Sequence, residues 1–186
     1  MLRPDYPIKT DRLILRPFAA TDLDAMHAYH RLPEVARFLY WAARTREDTE
    51  RSLRYRVTHP TIEREADILV LAVEHQETGA LLGEVNLSWR SEEHRTGEFG
   101  FIFDPRHHGH GYAGEAAVEM LRLGFDGLRL HRVIGRCDGR NDASAKLMTR
   151  LGLRKEAHFV ENEIVKGEWT DEFVFAMLEQ EWAARP

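Results

Sequence analysis

Phe99-Gly100-Phe101-Ile102-Phe103-Asp104-Pro105-Arg106-His107-His108-Gly109-His110-Gly111-Tyr112-Ala113 is the stretch from which the fold is read. Its first five residues form an apolar strand pattern. Asp104-Pro105 ends that strand, because proline cannot donate to a ladder and fixes its own φ. Gly109 and Gly111 let the backbone approach a ligand with no Cβ in the way. An amphipathic helix pattern follows, with its free N–H groups and positive dipole end turned back toward the loop. Strand, glycine turn and helix N-terminus together make an anion site suited to a phosphate or pyrophosphate. The loop lacks the Gly-Lys-Ser/Thr ending of a nucleoside-triphosphate loop. It also lacks the third glycine of the dinucleotide fingerprint and comes late in the chain.

Outward from the loop, the pattern predicts a strand over Arg12–Arg16 closed by Pro17, and a helix capped by Thr21-Asp22 that runs to His30. A short helix begins at Pro33-Glu34, and another spans Arg46 to Val57. Strands are predicted over Asp67–Val73, Leu81–Trp89 and Thr96–Phe103, with Glu77-Thr78-Gly79 as a turn. In the helix after the loop, Glu115, Glu119, Arg122 and Asp126 form a polar face, and Ala113, Ala117, Met120, Leu121 and Leu128 an apolar one. A strand over His131–Cys137, a helix over Asn141–Leu151 stopped by Gly152, and a closing hairpin (Ala157–Val165, Thr170–Leu178) complete the chain. The order predicts a mixed α/β sheet with helices on its faces.

The chain has 186 residues, 43% hydrophobic and 31% charged, which is enough for one core, so a single domain over residues 1–186 is expected. No apolar run approaches the roughly 20 residues of a membrane span, and the N-terminus has no signal-peptide core. One cysteine, Cys137, cannot form an internal disulfide, and a cytoplasmic setting is expected. A net charge of -5 argues against a nucleic-acid partner. The arginines from Arg44 to Arg56 alternate with Glu47, Asp48 and Glu50 and read as a solvated helix face. His107, His108 and His110 lie too close in sequence to converge on a metal, and no metal is expected.

The stretch Gly109 to Ala116, with Arg106, Gly109 and Gly111 meeting an R/Q-x-x-G-x-G/A pattern, resembles the acetyl-coenzyme A-binding core of the GNAT N-acetyltransferases. His131-Arg132-Val133, the Asn141/Ser144 pair, Leu151-Gly152-Leu153, Asp171 and the opening Thr10–Pro17 are similar to the ribosomal-protein (RimJ/RimL-like) branch of that superfamily. The resemblance implies the GNAT acyl-CoA N-acyltransferase fold, with a mixed, mostly antiparallel central sheet flanked by helices. It also implies acetyl transfer from acetyl-CoA to a primary amine, a protein N-terminus or a small molecule, by direct attack in a ternary complex.

By the same resemblance, Phe101, Ile102 and Phe103 pair their backbone with the pantetheine arm. Arg106, His108, Gly109, His110, Gly111, Tyr112, Ala113 and Gly114 hold the pyrophosphate; Arg106 is equally readable as a surface residue paired to Asp104. Asn141 contacts pantetheine while it caps its helix, and Ser144 protonates the departing thiolate. Glu98 is the first candidate for the base and Glu84 the second; either is also readable as a solvent-facing strand residue. Phe38, Tyr40 and Trp41 wall the acceptor site or fill the core, and Trp89 and Trp169 have the same two readings. Asp171 orients either substrate or a chain turn. Met148 occupies the position where many members carry a tyrosine acid. That departure admits a coenzyme A-binding sensor without catalysis, and a basic residue at the acyl end would admit succinyl-CoA. A second copy of the chain is admitted as a partner.

Overall fold

In the computed structural model, which describes residues 1–185, the chain opens with strands β1 (Ile8–Lys9) and β2 (Leu13–Pro17). Three helices follow: α1 (Leu23–His30), α2 (Pro33–Ala36) and α3 (Arg46–Thr58). Then come β3 (Ile68–His75), β4 (Leu81–Ser91), β5 (Thr96–Phe103), α4 (Tyr112–Arg122), β6 (Arg132–Asp138) and α5 (Asp142–Arg150). The hairpin β7 (Arg154–Val165) and β8 (Glu168–Leu178) and a short α6 (Glu179–Ala183) end the order. The strands form one sheet in the order β1-β2-β3-β4-β5-β6-β8-β7. Every pairing is antiparallel except β5 with β6. This is the mixed, mostly antiparallel sheet with helices on its faces that the sequence predicts.

Local chemistry explains the boundaries. Thr45 opens α3 with a capping box: its hydroxyl accepts from Asp48 N at 3.1 Å, and the Asp48 carboxylate accepts from Thr45 N at 3.2 Å. Gly152, with φ at +85°, stops α5 in the left-handed conformation. The expected cap of α1 takes a different form. Asp22 turns back to accept from Ala19 N at 2.8 Å and to pair with Arg16, so α1 starts without a side-chain cap. After Arg122 the chain passes through one wide turn, Leu123–Gly127, closed by Leu128 N donating to Leu123 O at 2.9 Å. Asp126 and Leu128 therefore lie beyond the α-helix on which the amphipathic pattern placed them. Two short elements, β1 and α6, carry too few residues for a periodic signal.

The two faces of the sheet are unequal. Leu13, Leu71, Val85, Leu87, Phe99, Met120, Leu121 and Phe175 belong to the larger core, which α4 and α5 cover. The other face carries a smaller core of Phe18, Met26, Tyr29, Leu53, Val70 and Ala72 under α1 and α3. Within it lies Glu84, 1% exposed. Its carboxylate accepts from Arg56 Nη2 at 2.6 Å and from the Tyr29 hydroxyl at 3.2 Å, and lies 3.4 Å from His30 Nε2. Burial alone would raise its pKa. The Arg56 charge and His30 outweigh burial and hold the carboxyl well below the usual carboxylate range. Glu84, the second candidate base, is thus a structural ion: its oxygens are spent inside the small core. Arg56, read from the sequence as part of a solvated face, is its partner.

Glu84→Gln leaves Arg56 desolvated without its counter-charge and is expected to destabilise the fold by about 3–5 kcal/mol, measured by urea unfolding at pH 7. Because the folded pKa lies below the unfolded value, this stability is present above about pH 4.5 and lost as pH falls further. The gap between wild type and variant should therefore narrow in acid; a gap that stays constant would contradict the assignment.

Candidate functional site

Strands β5 and β6 run side by side for only three residues, Thr96↔Arg132, Gly97↔Val133 and Glu98↔Ile134. Beyond Glu98 they separate. β6 continues to Asp138 against β8, whereas β5 continues through Phe99–Phe103 bonded only to β4. One edge of Phe99–Phe103 therefore has backbone groups without a strand partner, which is a ready template for an extended amide-bearing ligand. Side chains hold the fork open at its base. A Cβ at Gly135 of β6 would sit 2.6 Å from Met148 Sδ and 2.8 Å from Phe99 Cε1, so these two side chains fill the space over that glycine. Met148, 1% exposed, is a packing residue at the crotch of the fork.

The loop beyond β5 begins with Asp104, which is fully buried and accepts from Arg106 N at 2.9 Å and Arg106 Nε at 2.9 Å. Arg106 is thereby clamped to Asp104, although its side chain stays largely exposed. His108 Nε2 lies 3.1 Å from Phe103 O, and His110 Nδ1 lies 2.9 Å from His108 O. Gly109 and Gly111 have φ of +82° and +83°. A Cβ at Gly109 would meet nothing within 4 Å, and one at Gly111 only Arg12 Nη2 at 3.5 Å. The left-handed backbone is what requires glycine at these two positions. Gly111 is the N-cap of α4 and supplies no side-chain cap. Among the described residues, the N–H groups of Gly109 through Ala113 have no acceptor, so they and the helix dipole face the loop's open side.

Residues distant in sequence brace this end of α4. Glu115, placed by its pattern on a solvated face, accepts from Thr10 Oγ1 at 2.5 Å, Arg12 N at 2.9 Å and Arg12 Nε at 2.8 Å. Arg12 also lies over the Tyr112 ring at 4.7 Å and donates to His110 O at 2.9 Å. On α5, Asn141 is the N-cap and accepts from Ser144 N at 3.1 Å. Ser144 is half-buried, one turn before the buried pair Leu147 and Met148, and its hydroxyl has no partner among the described residues. Leu147 reaches α4: a Cβ on Gly114 would lie 3.4 Å from its Cδ1. The first turn of α4 therefore packs against the middle of α5.

Glu98, the first candidate base, sits where the strands part. Its Oε2 accepts from Arg90 Nε at 3.0 Å and Nη2 at 2.6 Å, and its Oε1 accepts from Arg136 Nε at 3.1 Å. Both oxygens are engaged, which the strand pattern alone could not reveal. Arg136 reaches on to Glu172 on β8 at 3.0 Å, and Asn162 also donates to Glu172. Burial raises the Glu172 pKa against the pull of Arg136. Tyr40 donates to Glu163 on β7 at 2.8 Å; burial and that bond push its phenol up to about 12. Lys166 at the hairpin turn donates to Ala36 O and Arg37 O. Thus Glu98, Arg136 and Glu172 line one side of the sheet near the fork, and Tyr40, from the segment between α2 and α3, meets Glu163 on β7. Asp171 spends its oxygens on His158 and Glu161 N, which holds the irregular middle of β7, the chain-turn reading of that residue.

Residues 12–154 match the acetyltransferase (GNAT) domain family. The chain is a GNAT acetyltransferase. It is 33% identical over 181 residues to the uncharacterized N-acetyltransferase YnaD of Bacillus subtilis, covering 94% of this chain and 98% of that one. A GNAT-family acetyltransferase structure from Bacillus anthracis superposes with a TM-score of 0.85 at 31% identity, over 94% of this chain and 99% of that one. Spermidine N-acetyltransferase from Vibrio cholerae, solved with CoA and spermine, shares the fold at a TM-score of 0.78 and 24% identity, over 94% of this chain and 99% of that one.

GNAT acetyltransferases use acetyl-CoA as the acyl donor. Burial pushes the Cys137 thiol up to about 11, which keeps it protonated near neutrality and ill suited to carry an acyl group. Among the described residues no helix is long and apolar enough to cross a membrane. Among the described residues no three His, Cys, Asp or Glu side chains cluster to hold a metal ion.

Gly111→Glu forces a side chain into a left-handed backbone and adds negative charge at the helix N-terminus. Isothermal titration should show at least about a tenfold loss of acetyl-CoA affinity, equivalent to about 1.4 kcal/mol, in a folded protein. Unchanged affinity would remove the loop from the coenzyme site.

Proposed function

We propose that the enzyme acetylates a primary amine, a peptide N-terminus or a small molecule, by direct attack on acetyl-CoA seated in the β5–β6 fork. The observation that carries this reading is the three-residue pairing of β5 with β6 beside the uncapped N-terminus of α4. In this reading the backbone of Phe101, Ile102 and Phe103 pairs with the pantetheine amides, as a strand would. The N–H groups of Gly109, His110, Gly111, Tyr112 and Ala113, with His108, Arg106 and Gly114 alongside, receive the pyrophosphate. Asn141 and Ser144 stand beside the sulfur end. The RimJ/RimL-like motifs favour a peptide N-terminus, and the fold shared with the Vibrio cholerae spermidine enzyme keeps small amines in view.

The reaction needs the neutral amine close to the thioester carbonyl. Nitrogen attacks the carbonyl carbon, the C–S bond breaks, the amine proton passes to a base, and the thiolate takes a proton through the Ser144 hydroxyl, which regains one from solvent water. Glu98 stands at the fork and takes the amine proton through a water molecule, since Arg90 and Arg136 already engage its oxygens. A second reading gives that proton to Glu172, favoured by its raised pKa. A carboxyl shifted toward neutrality accepts a proton more readily near the working pH.

Ser144→Ala should lower kcat about 10- to 100-fold, at or below the usual range for general acid catalysis, and leave acetyl-CoA affinity within about twofold. Free-thiol release against a panel of amines and N-terminal peptides measures this, and wild-type turnover in the variant would remove the acid role. Glu98→Gln and Glu172→Gln separate the two bases. The true base, once replaced, should abolish the acidic limb of the kcat/KM–pH profile, whereas the other variant should retain it.

A further inference from the structure

Most arginines in this fold stand beside a carboxylate, as Arg12, Arg16, Arg56, Arg90 and Arg136 do. Arg44 does not. It is half-buried, and among the described residues its guanidinium has no carboxylate within ion-pairing distance and no carbonyl acceptor. Its one polar contact is Nη1 to His30 Nδ1 at 3.5 Å. The other half-buried arginine without an acid, Arg185, donates to Leu151 O at 3.0 Å and so has an acceptor. Its N–H groups are left to solvent, and a half-buried guanidinium with no protein acid beside it is open to an anionic ligand.

The surroundings hold Arg44 in place for such a ligand. Its guanidinium lies 4.2 Å from the centre of the Trp41 ring, which in turn lies 5.0 Å from the buried His30 ring. The backbone N–H of Arg44 donates to His30 O at 3.0 Å, which pins the segment to the end of α1. Beside it opens a cavity of about 470 Å³, lined by Trp41, Arg44, Asp48, Arg51 and Ser52 among others. The only acid on that lining is already neutralised: Asp48 is bonded to Arg51 and to Thr45 at the α3 cap. Ser52 accepts from Arg56. Desolvation and the nearby Arg56 charge lower the Arg44 pKa against the opposing pull of Glu84 and Asp48. The same segment carries Tyr40, bonded to Glu163 on the hairpin that faces the fork.

We propose that this pocket holds a carboxylate of the amine acceptor, received by the planar fork of Arg44 lying on Trp41. The guanidinium presents paired N–H groups that match a carboxylate, and the indole keeps it flat and partly dry. The acceptor would then be an amine that also bears an acid group, such as an amino acid or a short peptide with its own carboxylate. A polyamine, cationic throughout, would meet Arg44 with like charge. This rests on the amine-acceptor reading above and narrows its substrate class.

The test pairs amino acids and dipeptides with their C-terminal amides in the thiol-release assay, using wild type, Arg44→Met and Arg44→Lys. Wild type should prefer the free acids by about tenfold to a hundredfold in kcat/KM, the range for a hydrogen-bonded charge pair. Arg44→Met should erase that preference with KM for acetyl-CoA unchanged, and Arg44→Lys should keep part of it. Equal use of acids and amides by wild type, or a preference that survives in Arg44→Met, overturns the proposal. Glutarate, a dicarboxylate without an amine, serves as a direct probe through tryptophan fluorescence. A saturable change in wild type that Arg44→Met loses, together with competitive inhibition against the acceptor, supports it. Glutarate that binds without competing assigns the pocket to a free anion and overturns it. If acetyl-CoA binds and no amine releases thiol, the acceptor reading fails by itself. The fluorescence titration then decides the pocket alone, and the absence of an Arg44-dependent signal refutes it.

Discussion

The rest of the site depends on a ladder that stops. Two parallel strands that begin as neighbours part after Glu98 and Ile134, which leaves the second half of β5 hydrogen-bonded on one side only. Unpaired backbone at a sheet's interior is unfavourable unless something else satisfies it. Here the divergence is built in by packing. Met148 from α5 and Phe99 from β5 occupy the volume above Gly135, where no side chain could fit. β6 meanwhile finds a full-length antiparallel neighbour in β8, so only one prong of the fork goes without. An extended ligand with its own amides is the natural complement to the other prong.

Around that constraint the two faces of the sheet divide the work. The larger core under α4 and α5 is apolar and fixes where the two helix N-termini point. The opposite face mixes a small core with charge: Glu84 held by Arg56 within it, and the Arg90–Glu98–Arg136–Glu172 chain near the fork. The inner pair is closed off and stabilises the fold. The outer chain stands where the strands part, and each of its acids is engaged by an arginine.

Much of this could be read from the sequence where the signal is local. The strand Thr96–Phe103, the break at Asp104-Pro105 and the positive-φ glycines 109 and 111 follow from side-chain alternation and backbone sterics, and all lie where they were expected. The cap at Asn141 and the stop at Gly152 are equally local. What could not be read is partnership across the sheet. Glu115 looks like one acid on a polar helix face until Thr10 and Arg12, more than a hundred residues away, fold against it. Glu98 looks free until Arg136 arrives from the next strand, and Glu84 looks like an active-site acid until Arg56 reaches it from α3. Mixed charge along α3 suggested solvent throughout, yet Arg56 turns inward. Periodicity ranks faces by hydrophobicity and is silent about which charge meets which.

The strand order has a consequence for how the protein is made. β8 lies between β6 and β7, so the inner prong of the fork has no lasting neighbour until Glu168–Leu178 has been synthesised and threaded beside it. A nascent chain can complete β1 to β5 and its glycine loop early, yet it must wait for β8 before the fork is framed on both sides. Such late, long-range pairing slows folding and leaves β6 exposed as an unpaired edge in the meantime. Completion of β8, rather than of the glycine loop, therefore sets the moment at which the fork first has both its prongs held.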